Sequence, residues 1–433
     1  MLALLGLFAI AGVLAAILSR RASPVVALIG FPLIAVVLAG QSGQAGELML
    51  AGMATVAPLA AMFLFAILFF GTMSDAGLFR PMVSLVTRFS RGHASRVAVG
   101  TAILTSILHL DGSGASTFVI VIPALLPVYD GMGIDRRILA CVAAMAAGVG
   151  NMLPWGGPTL RAASAIEIPV VELFQPLLPV YAVGVLSLLL VSWWLGWRAG
   201  AATGSPVTDD MTPAHSGDDM QRRLTPIGLA RYWFNLLLVV AVVGALFLEL
   251  LPPSAAFMVG LIVAMIVNFP SLDTQRQLLE RHAKPAVTMV AILFAAGAFT
   301  GLMRGSGMLA ALAQSGADLV PPAAAGSMPV IVAILAMPLS LLFDPDSFYF
   351  GILPVLGEIA ELHGTASVDV ARAALLGQMT TGFPVSPMTP ATFLLIGLAR
   401  IDLADHQRFT IPYLFLLSLI MAAVAFAIGV IST

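Results

Sequence analysis

Apolar residues in this chain come in uninterrupted runs, not in the one-face stripes of soluble amphipathic helices. Runs at residues 2–18, 24–39, 49–71, 177–195, 234–250, 255–269, 285–303 and 412–431 approach the roughly 20 residues a helix needs to cross about 30 Å of hydrocarbon. Between them lie shorter apolar arms that arrive in pairs. Residues 97–110 and 115–128 flank Asp111-Gly112-Ser113-Gly114, and residues 329–343 and 347–357 flank Asp344-Pro345-Asp346. Such arms stop short of a full crossing, so each pair is expected to form a re-entrant hairpin with a polar tip. Two further runs are interrupted. Residues 138–153 end at Pro154-Trp155-Gly156-Gly157-Pro158-Thr159, and residues 371–397 break around 384–390. The pattern predicts an all-α polytopic membrane protein.

Composition agrees with the pattern. Of 433 residues, 60% are hydrophobic and 10% charged, against about 25% charged in soluble domains. The 28 prolines and 40 glycines suit helices that break where they line a protein cavity. Cys141 is the single cysteine, which excludes an internal disulfide and a thiolate metal cage. No basic stretch precedes residues 2–18, and Arg20 and Arg21 follow it, so this run is expected to be a span and not a cleaved signal.

Charge orients the spans. With the N-terminus outside, the 20 basic residues fall in inner loops except Arg161, Arg304 and Arg372, as the positive-inside rule asks. Both termini are then extracytoplasmic, in an inner membrane. The first hairpin (97–129) enters from the cytoplasmic side and the second (329–357) from outside. Residues 198–231 form a flexible cytoplasmic linker between halves 1–197 and 232–433. Its acids Asp209, Asp210, Asp218 and Asp219 offset its arginines, so it is not a nucleic-acid or lipid patch.

The two halves echo each other. Gly71 through Phe79 aligns with Gly301 through Leu309 at an offset of 230, Asp111 with Asp344 at 233 and Pro158 with Pro390 at 232. Near-constant offsets indicate one unit used twice. Inverted repeats with broken helices typify secondary transporters, whose site lies near the midplane between the repeats.

Candidate chemistry sits at the breaks. An ionisable residue at membrane depth is costly and therefore a functional candidate. Asp111 is one, with Gly112 and Gly114 allowing close backbone approach and with hydroxyls on Ser113, Ser116 and Thr117. Helix starts near Ser113 and Ser347 offer free N–H groups to an anion; the plainer reading is a capped interhelical turn. Arg161 can grip a carboxylate in bidentate fashion, beside Thr159, or it can snorkel from an external loop. The corresponding stretch of the second half carries Ser386, Thr389 and Thr392 but no cation. His109 can act as a proton carrier, or as a packed, satisfied histidine. Glu358 and Glu361 are read as the outer hairpin exit.

No phosphate-binding G-x-x-x-x-G-K-[ST] motif occurs, so an ion gradient drives the process. The carboxylates Asp111, Asp344 and Asp346 can hold a hard divalent cation such as Mg or Ca through oxygen, titrate a proton, or both. The expected role is secondary transport of a small anion. Rival readings are an inorganic-ion antiporter, a passive channel and an intramembrane aspartyl hydrolase pairing Asp111 with Asp344 or Asp346. Symmetric hairpins argue against the last.

The chain resembles the citrate–metal–proton symporter family (CitMHS) of the ion transporter superfamily over nearly its whole length. The matching pieces run from Phe65 to Gly71 and Asp75 to Phe79, then Leu110-Asp111-Gly112 with Gly114, and Pro154 to Thr159 with Arg161. In the second half they are Phe348 to Gly351, Leu353 to Leu356, Leu376-Gly377-Gln378, Ser386-Pro387 and Asp405 to Thr410. The resemblance implies proton-coupled import of citrate as a divalent-metal complex. It also implies a homodimer of scaffold and transport domains working as an elevator, with the Asp111 and Asp344 tips holding substrate. Two departures stand out. The family's first tip reads Asp-Gly-Asp-Gly-Thr-Thr-Thr, against Ser113, Ala115 and Ser116 here. Its second reads Ser-Asn-Asp, against Asp344-Pro345-Asp346. One carboxylate is lost and one gained, which leaves open an altered metal preference or a metal-free di- or tricarboxylate.

Overall fold

Helices begin and end where the chain's polar and turn-forming residues fall, and a computed structural model describes them over residues 1–19, 21–78, 81, 93–203, 226–248, 250–317 and 327–432. Arg20, the loop residues Phe79, Arg80, Arg88 and Arg91, most of the 198–231 linker and the end of the 305–328 loop lie outside the described residues.

The first half contains α1 (Leu2–Leu18), α2 (Pro24–Leu38) and the long α3 (Ala45–Asp75). Next come two hairpin arms, α4 (Ala94–Leu108) and α5 (Gly114–Gly131), joined by a tight turn at His109–Asp111. A helix broken into α6 (Arg136–Gly150) and α7 (Gly157–Ile166) follows, and after the short helix Val170–Phe174 comes α8 (Leu178–Thr203). The second half runs α9 (Pro226–Phe247), α10 (Pro253–Asn268), the long α11 (Leu272–Gly305) and α12 (Met308–Ala317). Its hairpin has α13 (Met328–Leu339) as one arm; the other is a wide π turn at Ser347–Ile352 running into α14 (Leu353–Leu362). Then come α15 (Ser367–Leu375), α16 (Pro390–Ala399) and α17 (Leu403–Ala427). Among the described residues, six helical stretches are long and apolar enough to cross a membrane: 42–75, Gly114–Gly131, 170–200, 228–247, Leu272–Gly305 and Leu403–Ala427.

Packing is reciprocal between the halves. α3 and α11 form the most extensive helix pair; α10 packs on α3 as α2 packs on α11. Hairpin arm α4 lies on α8, and arm α13 on α17. The second arm of each hairpin crosses over: α5 packs on α16 of the other half, and α14 on α7. Glycine makes the α3–α11 crossing possible. A Cβ on Gly52 would lie 2.0 Å from the Gly297 carbonyl oxygen, and one on Gly301 2.1 Å from that of Leu48. Bare backbone at such points lets membrane helices pack closely, where van der Waals contact replaces the hydrophobic drive.

Several boundaries differ from the sequence pattern for a common reason. α3, α11 and α17 outrun the expected 49–71, 285–303 and 412–431, since backbone hydrogen bonding carries a helix past the point where apolar residues stop. The second broken helix ends at Leu375 and resumes at Pro390, so its break includes the expected stretch around 384 but begins earlier. There the hairpin presses against it: a Cβ on Gly377 would lie 2.3 Å from Met337 N, and one on Gly382 2.2 Å from Ser340 Oγ. Met379 takes a left-handed φ of 52° to make the turn. Close approach, more than proline, sets this break.

Candidate functional site

The first tip is a capped turn. Gly112 adopts φ 69°, and the Asp111 Oδ1 accepts the Ser113 N–H at 2.8 Å. Ser113 then caps α5 by accepting the Ser116 N–H at 3.3 Å, while Thr117 donates its hydroxyl back to the Ser113 carbonyl at 2.8 Å. The Ser116 side chain also hydrogen-bonds the Asp111 carboxylate. His109 is fully buried. Its Nδ1 meets Thr117 Oγ1 at 3.0 Å and its Nε2 meets Asn151 Oδ1 at 2.9 Å. Both ring nitrogens are engaged, the arrangement of a packed histidine.

The first break holds that tip in place. Trp155 donates its indole N–H to the Leu110 carbonyl at 2.7 Å, and Asn151 donates to the Met379 carbonyl of the second break at 3.0 Å. Thr159 donates to the Met152 carbonyl at 3.0 Å, closing its own turn.

The second tip uses its two carboxylates differently. Asp344 caps the turn: Oδ1 accepts the N–H groups of Asp346 at 2.9 Å and Ser347 at 3.0 Å, and Oδ2 accepts the Ser347 hydroxyl at 2.6 Å. Asp346 instead accepts from Arg161 Nε at 2.7 Å, with both side chains 8% exposed. Arg161 stands on α7 of the first half, so this ion pair ties one half's broken helix to the other half's hairpin. Neither Nη of Arg161 has a hydrogen-bond partner among the described residues.

The second break mirrors the first. Ser340 accepts the Met379 N–H at 2.8 Å and donates to Gln378 Oε1 at 3.0 Å; Tyr349 donates to the Gln378 carbonyl at 2.7 Å. Thr389 and Thr392 both donate to the Phe383 carbonyl, at 2.7 and 2.9 Å, and Ser386 accepts the Met388 N–H at 3.1 Å. Two atoms here are buried without a partner, Gln378 Nε2 and Thr381 Oγ1. Orphaned polar atoms in a packed interior cost about 1–3 kcal/mol each.

Four helix starts pair up around this centre. The start of α5 meets that of α16, with a Cβ on Gly114 only 3.4 Å from Ala391 Cβ. The start of the Ser347 arm meets α7 through Asp346 and Arg161. Helix N-termini favour anions. No hydrogen bond or ion pair joins Asp111 to Asp344 or Asp346 among the described residues; the tips communicate through the Trp155–Arg161 segment. No three His, Cys, Asp or Glu side chains cluster as a metal cage there either. Sequence reasoning passed over Asn151, Ser340 and Thr381 as site residues, though each is a polar residue at the end of an apolar run.

Two hairpin tips locked onto two broken helices, in a chain with six long apolar helices, define a multi-pass membrane transport protein. A family profile described as "Citrate transporter" matches residues 7–382, and the chain belongs to that family. It is 38% identical over 432 residues to a "Citrate transporter" of Bacillus subtilis, covering all of both chains. It is 36% identical over 437 residues to that organism's "Mg(2+)/citrate complex secondary transporter", covering 100% of this chain and 99% of the relative. Two solved structures share the fold. The Alcanivorax borkumensis YdaH transporter matches with TM-score 0.59 at 17% identity over 88% of each chain. Neisseria gonorrhoeae MtrF matches with TM-score 0.61 at 14% identity, over 90% of this chain and 84% of that one. These proteins are transporters, not enzymes.

Proposed function

We propose that the protein carries citrate, as a complex with Mg or Ca, into the cell in symport with protons. The observation that carries the reading is the buried Arg161–Asp346 pair, which joins the first broken helix to the second hairpin tip. The free Nη groups of Arg161 donate to substrate carboxylates, and the paired helix starts add a positive field. The Asp111 carboxylate takes the metal or a proton, so a complex bearing both signs finds a cation and an anion to meet it. The names of the two Bacillus relatives support the same cargo. The metal is cargo in this reading, which needs no built cage.

The reciprocal packing supports two inverted repeats. Helices α3 and α11 serve as the scaffold of a homodimer, past which the hairpins and broken helices move as an elevator, in an inner membrane with both termini outside. A metal-free carboxylate carrier is the second reading, favoured by the loss of a carboxylate at Ser113. The deciding experiment is uptake of labelled citrate into proteoliposomes with and without magnesium or calcium under an imposed pH gradient. Asp111→Asn keeps the Ser113 turn bond and Asp344→Asn keeps the two N–H bonds, so both variants fold and both abolish uptake. Wild-type rates in either variant would remove that residue from the site.

A further inference from the structure

The α3–α11 pair contains a second crossing that the first one explains. At the repeat offset of 230, Gly52 and Gly301 correspond to His282 and Gly71. The first contact is backbone on backbone. In the second an imidazole fills the gap: a Cβ on Gly71 would lie 2.7 Å from both Cε1 and Nδ1 of His282. The chain thus places a histidine where the other half has bare backbone, and keeps Gly71 to seat it.

His282 is tethered at one nitrogen only. Its Nε2 lies 3.1 Å from Asp75 Oδ2, which also accepts from Arg281 Nη1 at 2.9 Å. A carboxylate has no proton to give, so Nε2 carries the hydrogen and Nδ1 keeps its lone pair. Nδ1 has no hydrogen-bond partner among the described residues, and the side chain is 20% exposed. Water can therefore reach this ring, whereas His109 would have to break a bond to take a proton. The turn bearing Asp111 packs on α3, and His282 lies within electrostatic reach of Asp111. The charged groups at the ring are Asp75 on α3 and Arg281 on its own helix, with the hairpin's Asp111 within coulombic reach. Arg281 and Asp75 offset each other, which leaves Asp111 as the charge an imidazolium would balance.

We propose that His282 carries the coupling proton, an inference that rests on the proton-coupled reading above. A proton from water adds to Nδ1 and makes the ring cationic, no other bond changing. The cation compensates Asp111 while the hairpin passes α3, and the same proton leaves Nδ1 to water on the far side of the cycle. Asp75 is a positioning residue that fixes the tautomer.

The test uses full-length protein in proteoliposomes with magnesium and labelled citrate, in two assays. One measures accumulation driven by a pH gradient; the other measures citrate exchange at equal pH, which needs no net proton movement. For His282→Gln, gradient-driven accumulation should fall about 100-fold, the lower end of a positioned proton carrier's contribution, with exchange retained. If His282→Gln does not fold, Gly71→Ala, which displaces the ring, should give the same split. Accumulation at the wild-type level, or loss of both activities in folded protein, overturns the proposal. Wild-type protein indifferent to the gradient would instead overturn proton coupling itself.

Discussion

Arg161 and Asp346 invite a double replacement that separates holding the fold from holding the substrate. Their charges are about 4 Å apart in a site with an effective dielectric near 20, where attraction amounts to about 4 kcal/mol. Removing one partner strands the other charge in the interior, which costs about 3–5 kcal/mol in comparable buried pairs. Arg161→Met alone and Asp346→Leu alone should therefore each lose that much stability, measured by denaturant titration in mixed micelles. Replacing both removes the stranded charge, and apolar pairs of similar volume are commonly neutral or stabilising. The double variant should return to within about 1–2 kcal/mol of wild type. Its citrate uptake should stay absent, because the Nη groups proposed to bind the substrate are gone. Recovery of uptake along with stability would show that Arg161 is a tie between the halves and nothing more. Two single variants that each leave stability unchanged would refute the buried pair outright.

Two further outcomes follow from the packing. Gly301→Leu, whose Cβ would meet the Leu48 carbonyl at 2.1 Å, should cost about 3 kcal/mol or more and abolish folded protein on size exclusion, while Gly30→Ala, with nothing within 4 Å, should stay within about 0.5 kcal/mol of wild type. His109→Ala should cost about 1–3 kcal/mol by stranding the Asn151 side-chain oxygen, and a folded His109→Gln should keep the wild-type pH profile of uptake; a shifted profile would return His109 to the proton path.

The turns at the two tips were legible because apolar arms meet there on Asp-Gly or Asp-Pro, although α5 at Gly114–Gly131 is long enough to cross a membrane, longer than its apolar run suggested. So were the first break, with its two prolines, and the echo of Gly71 in Gly301. Partners were not. Arg161 and Asp346 are 185 residues apart, and nothing local distinguishes an arginine aimed at a carboxylate from one snorkelling to the surface. The second break was legible at its end, where proline falls at 384 and 390, but not at its start, where the hairpin presses on Gly377. His282 carried no sequence signal, and only α3 lying against it singles it out.

The reciprocal packing of the two halves leaves charge as the feature that tells them apart. Their helix starts meet in pairs, α5 with α16 and the Ser347 arm with α7. Side chains are free to diverge. At the first tip Asp111 is held by Ser113 and Ser116; at the second Asp344 is used up by its turn and Asp346 by Arg161. Gly52 stays bare while its counterpart is His282. An interior ion pair or a tethered imidazole costs free energy that a purely structural repeat has no reason to spend on one side only. In the proposed reading, the positions where the halves differ in charge are where a single, unsymmetrical solute is read, and Arg161, Asp346 and His282 are those positions.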